Sequence, residues 1–410
     1  MKKLFFWLTL SLVMFACNNE DEPQPIAAAD MTVMAYMVAD ASGIEDDIWV
    51  NIGAMYDGLA TMTKSATLLV YWDGSGNYGD WSHPVILRFT TDGRGNINGQ
   101  KQLPADASVD EVVALAEVVK EYPSQLSTDK SVMTQVLKDM IGLSSTARVG
   151  LVAASHASAW TNSIFMSRSF GQDGKGTDNT MQIKDMADAM KATGRKFDFL
   201  MFDACFMATA EVCYELKDVA TYQIASVMEV PAYGFPYEDS LGGLYEGTIE
   251  GYQKICDAFV AFYKQRLESG YSAWGTVSII DSREMQALAD ATKSEIIEHK
   301  DALSNFEVGN VQEYGKQGGS DIAYDLGGFM ASLNGGTMPQ AFATQLNKTV
   351  VYKACMERAN PSYYKVDPSN YCGLGIYIPM QYRQDWNRFF KTISWYTAAG
   401  WDEVKFAWNF

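Results

Sequence analysis

The sequence is poor in several features that point to common classes of protein. Its 32 lysines and arginines are outnumbered by 50 aspartates and glutamates, which gives a formal net charge of −18. Because nucleic-acid binding needs clustered positive charge, this balance predicts that the protein has no nucleic-acid partner. There is no Gly-x-Ser-x-Gly or His-Glu-x-x-His segment, so a serine-hydrolase or zinc-protease mechanism has no support. Beyond the N-terminus, no apolar run is long enough to cross a bilayer.

Cysteine is also scarce, with six in 410 residues. Four of them, other than Cys17 and Cys205, show neither a Cys-x-x-Cys segment nor the spacing of metal ligands, and no carboxylates have the spacing of an EF-hand. The sequence therefore predicts no metal and no cofactor. We expect these four cysteines to be buried thiols, although an exported protein could pair them in three ways; they are Cys213, Cys256, Cys355 and Cys372.

The N-terminus has the pattern of an export signal. Two lysines precede an apolar run from Leu4 to Ala16, which ends at Cys17. This end resembles a loose lipobox, in which the cysteine receives a lipid and becomes the new N-terminus. The sequence thus predicts a signal peptide at 1–17 and a polar tether at 18–30, similar to those of surface-exposed Gram-negative lipoproteins. The expected location is the outer membrane, with a lipid anchor and surface exposure; a simple cleaved secretory signal is the alternative.

The rest of the chain alternates between strand-like and helix-like patterns. With 48% hydrophobic and 20% charged residues, it can form a large core. Short apolar runs that end in polar residues predict buried strands, and the amphipathic stretches between them predict helices, among them 109–120 and 206–218. This order is typical of βαβ units in a parallel sheet. The predicted strands cover 31–39, 66–72, 148–154, 197–205, 222–226 and 277–281.

Cys205 is the side chain best placed for chemistry. It ends the predicted strand 197–205, and the predicted helix 206–218 follows directly. In an open α/β sheet, ligands bind at the carboxyl ends of the strands, and a helix N-terminus favours a thiolate. We therefore expect Cys205 to be well placed as a nucleophile.

The chain has only three histidines, and one of them differs from the others. His83 and His299 have polar surroundings that indicate surface positions, whereas His156 lies at the carboxyl end of a predicted core strand. Neighbouring parallel strands bring their ends together. A thiol and an imidazole in one cleft are sufficient for acyl transfer, because the thiolate attacks a carbonyl and the imidazole protonates the leaving amine. From these residues alone, a buried cysteine and an unrelated histidine remain the alternative.

Several short motifs resemble those of the clostripain family of cysteine peptidases. The motifs occur in the family's order along most of the chain and fall on the predicted strands. They are Asp203-Ala204-Cys205-Phe206-Met207, the strand ending at His156, Tyr36-Met37, Ala225-Ser226, Gly234-Phe235-Pro236-Tyr237, Tyr324-Asp325-Leu326 and Ile376-Tyr377-Ile378-Pro379. The resemblance implies an α/β fold, a caspase-like doubly wound, mostly parallel sheet flanked by helices. It implies a catalytic domain at 31–285 and a C-terminal α+β subdomain at 286–410.

The resemblance also implies roles for the site residues. His156 and Cys205 would be the catalytic dyad of an endopeptidase that hydrolyses peptide bonds through a thioacyl-enzyme. The backbone N–H groups of Ala157 and Cys205 would hold the oxyanion. Asp203 would line the S1 pocket for a Lys or Arg side chain at P1. The further S1 residues would be Ser226, Glu229 and Tyr233.

Three features depart from the family pattern. Ala157 stands where the family usually has glycine, and its methyl group is tolerable if φ is negative. Tyr233 stands where basic-specific relatives tend to carry an acidic residue, so an aromatic or uncharged P1 is the alternative; Glu229 is a candidate substitute for that charge. Relatives are often cut after a basic residue between the histidine and the cysteine, which makes Arg168 and Lys175 the candidate autocleavage sites.

The predicted function is that of an exported, lipid-anchored cysteine endopeptidase that acts on peptides or proteins. Some relatives depend on calcium, but no motif here supports a calcium site. The alternative is a surface-binding lipoprotein of the same fold with little or no turnover. Ala157 favours this alternative, and the joint presence of His156, Cys205 and Asp203 argues against it. The sequence leaves the natural substrate and the oligomeric state open.

Overall fold

The computed structural model describes residues 26–41, 43–79, 81–161, 169–174, 179–304, 306–309, 311–315 and 322–405. Within them, one large sheet forms the centre of the molecule, and β11 and β13 form a small second sheet. The strands are β1 (Met31–Val38), β2 (Ala66–Asp73), β3 (Val85–Thr91), β4 (Asn96–Ile97), β5 (Gln100–Lys101), β6 (Glu117–Glu121), β7 (Arg148–Ala154), β8 (Phe197–Asp203), β9 (Ala220–Ala225), β10 (Thr276–Asp281), β11 (Tyr324–Asp325), β12 (Val350–Cys355) and β13 (Gly375–Ile376).

The centre of the large sheet is parallel and its margins are antiparallel. The strand order is β12-β10-β9-β8-β7-β1-β2-β3-β4-β5, with β6 paired to β3. The run from β9 to β2 is parallel throughout, whereas β10, β12 and β3 run antiparallel to their neighbours. The carboxyl ends of β1, β7 and β8 therefore meet at one edge of the sheet. This largely parallel sheet flanked by helices confirms the predicted fold class.

Helices cover both faces of the sheet. They are α1 (Glu45–Ala60), α2 (Val109–Val113), α3 (Lys130–Leu143), α4 (Ile183–Lys191), α5 (Ala210–Glu215), α6 (Tyr237–Glu246), α7 (Ile249–Glu268), α8 (Met285–Glu298), α9 (Lys300–Leu303), α10 (Leu326–Leu333), α11 (Gln340–Thr349), α12 (Gln384–Phe390) and α13 (Ser394–Ala398). Short 3₁₀ turns complete the connections, among them Ser362–Tyr364.

The first strand shows how the two layers of helices bury the sheet. Tyr36 and Val38 lie in the core cluster that includes α3, α4 and α8, whereas Ala35 and Met37 lie in the cluster that includes α1, α6 and α7. Successive side chains of a strand point to opposite faces, so a strand buried on both faces is apolar throughout. Every residue of β1 is buried.

The helix predicted at 109–120 is wrong over most of its length. Helix α2 ends at Val113, and Glu117–Glu121 forms β6, which pairs antiparallel with β3. The backbone groups along the outer edge of β3 need hydrogen-bond partners, and a segment with two consecutive valines, Val118 and Val119, is well suited to a pleated strand. Pairing between strands decides the structure of this segment, rather than its local apolar spacing.

The last third of the chain contributes to the same sheet. Strand β12 pairs antiparallel with β10 and forms one margin of the sheet. The division of the chain into 31–285 and 286–410 stays a prediction. Among the residues that the structure describes, no helix combines the length and apolar character needed to cross a membrane.

Candidate active site

Two neighbouring strands bring His156 and Cys205 to the same edge of the sheet. Strands β7 and β8 are parallel, and their last registered pair is Ala154 and Asp203. His156 and Cys205 each follow two residues after this pair. Both side chains are half-buried. The sequence predicted this juxtaposition from the ends of the two strands.

The turn after Cys205 differs from the prediction. The next helix, α5, begins at Ala210 rather than at Phe206, so Cys205 does not lie at a helix N-terminus. The intervening residues bond to the segment after β9 instead, because the N–H of Phe206 donates to the Met228 carbonyl at 3.1 Å and that of Ala208 to the Ser226 carbonyl at 2.9 Å. Phe206 adopts a positive φ of 61°, which a β-carbon makes costly and which turns the chain sharply after the thiol.

The loop between β9 and α6 lies against the thiol. The backbone N–H of Val230 donates to Cys205 Sγ at 3.4 Å, and Sγ lies 3.8 Å from the carbonyl oxygen of the same residue. A neutral thiol can donate to that carbonyl, whereas a thiolate can only accept from the N–H. A backbone donor at the sulfur favours its ionised form.

Glu229, the residue before Val230, is held by two aromatic side chains from the later part of the chain. The Tyr364 hydroxyl donates to its carboxylate, and Trp274 Nε1 donates to its backbone carbonyl at 3.0 Å. The rings of Trp274 and Tyr364 stack with centroids 4.1 Å apart. The Glu229 carboxylate is therefore engaged in the fold, so the structure does not present it as an open substitute for the acidic residue of relatives.

Asp203 is buried behind the same loop. Its Oδ2 accepts hydrogen bonds from the Tyr237 hydroxyl at 2.9 Å, the Phe235 N–H at 3.4 Å and Asn51 Nδ2 at 3.4 Å. Within the described part of the chain, no hydrogen bond reaches Oδ1. Burial raises the pKa of Asp203 to about 6, and the Tyr237 and Phe235 bonds oppose this rise.

The other two predicted S1 residues have contrasting surroundings. Tyr233 is 51% exposed, and the Arg266 guanidinium lies 3.7 Å from the centre of its ring. Ser226 is fully buried, with its hydroxyl 2.8 Å from that of Thr276, so its side chain lies in the core between β9 and β10. The structure thus leaves Tyr233 at the surface, stacked on Arg266, and the Ser226 side chain inside the protein.

A cavity of about 350 Å³ lies between α1, α2 and the loop, and two residues that bond to Asp203, Asn51 and Phe235, are among its lining. Two carboxylates and several apolar side chains line it. Burial raises the pKa of both Asp57 and Glu238, and the charge of Asp57 adds to the effect on Glu238. Its lining includes Asn51, Ala54, Asp57, Tyr233, Phe235 and Glu238.

Ala157 fits its position without backbone strain. The positive φ values among the described residues other than glycine belong to Asn98, Ala159 and Phe206, so φ at Ala157 is not positive. Ala157 forms a β-bridge with Phe170, and the flanking hydrogen bonds run from the Ser158 N–H to the Ser169 carbonyl and from the Gly171 N–H to the His156 carbonyl. The N–H of Ala157 itself donates to no described residue.

Three predicted positions lie outside the described residues, namely Cys17, Arg168 and Lys175. The described cysteines are all free thiols; Cys213, Cys256 and Cys372 are buried as predicted, and Cys355 is half-buried. In the described ranges, no group of three or more His, Cys, Asp or Glu side chains has the geometry of a metal site.

The structure adds functional candidates that the sequence did not indicate. Asn51 and Val230 contact Asp203 and Cys205, and Trp274 and Tyr364 hold the residue next to Val230. Tyr364 lies 135 residues from its partner Glu229, so no local pattern reveals the pairing. Tyr237, which bonds to Asp203, belongs to the Gly-Phe-Pro-Tyr motif, so this motif was the one sequence feature that pointed to any of these contacts.

Solved structures share this architecture. A secreted C11 cysteine protease from Bacteroides thetaiotaomicron, solved with an irreversible peptide inhibitor, is 24% identical; the match covers 92% of this chain and 100% of that chain, with a TM-score of 0.71. An inactive zymogen C11 protease from Parabacteroides distasonis is also 24% identical, with coverage of 91% and 99% and a TM-score of 0.69. A B. fragilis cysteine protease is 28% identical over 59% of this chain and 100% of that chain, with a TM-score of 0.53. No curated protein matches the chain.

The fold and the matches define the chain as a cysteine-type peptidase. Peptides or proteins are accordingly its class of substrate. A model of the clostripain family matches residues 35–408, and the chain belongs to that family. This membership confirms the resemblance that the motifs indicated.

Proposed function

We propose that the protein is an endopeptidase in which Cys205 is the nucleophile and His156 is the general acid and base. The position of the two residues at the ends of the paired strands β7 and β8 carries this proposal. The Cys205 thiolate attacks the carbonyl carbon of the scissile bond, and the imidazolium of His156 gives its proton to the leaving amine. Water, deprotonated by His156, then hydrolyses the thioester and restores the thiol.

Backbone N–H groups stabilise the charge that develops on the carbonyl oxygen. The proposed donors are those of Ala157 and Cys205, which lie at the ends of the same two strands. The absence of a described acceptor for the Ala157 N–H supports its role. One such donor typically contributes about 3 kcal/mol to transition-state stabilisation.

The proposed P1 preference is Lys or Arg, with Asp203 as the anionic partner in S1. All described bonds to its carboxylate fall on Oδ2, which leaves Oδ1 for a substrate cation. The carboxylates of Asp57 and Glu238 in the adjacent cavity add attraction for a cation. Arg266, stacked on Tyr233, opposes it, and this stack favours an aromatic or uncharged P1 as the alternative.

The proposed setting is the outer surface of the cell. A lipid on Cys17 would anchor the protein there, and cleavage after Arg168 or Lys175 would open the segment between His156 and Cys205. A fully active protein that stays a single chain would refute activation by cleavage. If cells label the protein with palmitate and Cys17→Ala abolishes the label, the lipid anchor is supported. Release of the protein from the cell without a lipid would refute the anchor.

The test of the proposed function is hydrolysis of a fluorogenic peptide library by the purified full-length chain. We expect cleavage that Cys205→Ala, His156→Ala and iodoacetamide each abolish, with Cys355→Ala as the matched control for a half-buried thiol elsewhere. Cleavage after Lys or Arg would support Asp203 as the residue that selects P1. Cleavage after aromatic or uncharged residues would support the stack of Tyr233 on Arg266. No cleavage, with labelling of Cys205 no faster than that of Cys355, would refute the proposal in favour of a binding lipoprotein.

A further inference from the structure

The loop that contacts the thiol is fastened at both ends by aromatic side chains. At its start, Glu229 is held by Tyr364 through its carboxylate and by Trp274 through its carbonyl. Towards its end, the Tyr263 hydroxyl donates to the Gly234 carbonyl at 2.8 Å. Val230, whose N–H donates to the sulfur, directly follows Glu229 in the chain. The position of that N–H therefore depends on how Glu229 is held.

The fastening at Glu229 is built to persist. Tyr364 is buried, and burial followed by the Glu229 carboxylate raises its pKa, so the hydroxyl remains a donor at neutral pH. A hydrogen bond from a neutral donor to a carboxylate is stronger than one between neutral groups. The ring of Trp274 packs flat against that of Tyr364 and supports it from one face.

We propose that Tyr364 and Trp274 are positioning residues for the nucleophile, which hold Glu229 so that the Val230 N–H stays directed at Cys205 Sγ. This inference rests on the proposed role of Cys205. The two residues act through the loop and need no contact with the substrate. The C-terminal part of the chain thereby contributes to the reactivity of a cysteine in the central sheet.

The consequence for the thiol has a definite sign. The titratable groups that the described elements bring near it include His156 at the end of β7, Asp203 in the strand that precedes it, Glu229 in the loop and Tyr364. Loss of the Tyr364 hydroxyl would remove one hydrogen bond from the Glu229 carboxylate and loosen the Val230 N–H. A weaker donor disfavours the thiolate, so the pKa of Cys205 would rise.

The experiment is the pH dependence of Cys205 alkylation in the full-length chain, without substrate. Iodoacetamide labelling of the Cys205 peptide is followed by mass spectrometry from pH 5 to 10, with Tyr364→Phe and Trp274→Phe compared to the wild type. We expect the midpoint to rise by about 0.5 to 1 pH unit in both variants, as for a weakened hydrogen bond to a charged group, and labelling at pH 6 to slow by about threefold to tenfold. Tyr363→Phe is the matched control, since this neighbouring ring is 42% exposed.

A second pair of variants separates the bond from general packing. Glu229→Gln keeps an acceptor for the Tyr364 hydroxyl and removes a negative charge, so its midpoint should not rise. Glu229→Ala loses the acceptor and should rise, but by less than Tyr364→Phe, because its charge is lost as well. A lower melting temperature with an unchanged midpoint in the folded variants would overturn the proposal and leave the two rings a structural role. Because no substrate is present, a shifted midpoint in a protein that cleaves nothing would refute the proposed function and support the positioning role.

Discussion

The buried carboxyl groups of Asp73 and Asp173 share one hydrogen-bond partner, Ser127, at the carboxyl edge of the sheet. Ser127 joins them, because its hydroxyl donates to Asp73 and its N–H donates to Asp173 Oδ2 at 2.5 Å. Burial and then the charge of Asp173 raise the pKa of Asp73 to about 7. The segment that carries Asp173 also bonds to the site, since Gly171, two residues before it, donates its N–H to the His156 carbonyl at 2.9 Å.

This pair predicts that stability falls as the pH rises from about 4 to about 7. In that window the folded protein keeps the proton on Asp73, and the unfolded chain, whose aspartate has a pKa of about 3.9, has lost it. The unfolded state therefore binds fewer protons, and the free energy of unfolding decreases with pH. Asp73→Asn, which mimics the protonated acid, should flatten the dependence and gain about 1 to 3 kcal/mol over the wild type at pH 8 relative to pH 4.5. Urea denaturation at several pH values checks this, with the exposed Asp106→Asn as control; parallel curves for wild type and Asp73→Asn would contradict it.

Gly234 is predicted to tolerate no side chain. A β-carbon there would lie 2.3 Å from Asp203 Oδ2 and 2.8 Å from Asn51 Nδ2, at a φ of +65°. Gly234→Ala should lower kcat/KM by more than about tenfold and destabilise the fold by about 2 kcal/mol, because it combines a clash with an unfavourable φ. Gly335→Ala is a matched control, since Gly335 has a φ of +64° and open space around it. Equal effects of the two substitutions would show that the contact with Asp203 is unimportant.

Ala157→Gly is predicted to change little. Because φ at Ala157 is not positive, a glycine relieves no strain, and kcat/KM should stay within about twofold of the wild type. The measurement is steady-state hydrolysis of the best peptide from the library. A rise of tenfold or more would show instead that the methyl group obstructs the substrate.

Tyr237→Phe should change the pH dependence of cleavage after basic residues. Its hydroxyl lowers the pKa of Asp203, so its removal should raise that pKa above about 6 and leave a larger fraction of the acid neutral near pH 6.5. If Asp203 binds the P1 cation, kcat/KM for a Lys peptide should fall severalfold at pH 6.5 and recover at pH 8.5, while a peptide with an uncharged P1 is unaffected. Tyr245→Phe is the control on the same helix, with a buried hydroxyl bonded to the Thr67 carbonyl at 2.8 Å. Equal losses for both peptides at every pH would exclude Asp203 from P1 recognition.

The sequence was most informative where local pattern decides structure. The buried strands are apolar throughout, so their ends, and with them His156 and Cys205, could be located by inspection. The same approach failed at Phe206, where hydrogen bonds to the segment after β9 replace the expected start of a helix. It also failed at β6, where pairing with β3 overrides helical spacing.

The supporting contacts of the site could not be predicted for a different reason. Asn51, Trp274 and Tyr364 come from three distant parts of the chain, and their residue types are ordinary core residues in their own segments. Their roles arise only from tertiary contacts, such as the bond of Tyr364 to Glu229. The motif around Asp203 was recognisable, but the burial of its carboxylate and the three hydrogen bonds to its Oδ2 were not.

The position of Tyr364 in the chain has a consequence for the order of biosynthesis. A growing chain that has passed Val230 already contains Cys205, His156 and the loop residue that contacts the thiol. It does not yet contain the tyrosine that fastens Glu229, which is 135 residues further on. If the bond from Tyr364 to Glu229 lowers the pKa of Cys205, a nascent or truncated chain has a less reactive thiol. Full reactivity then arises only after most of the polypeptide has been made.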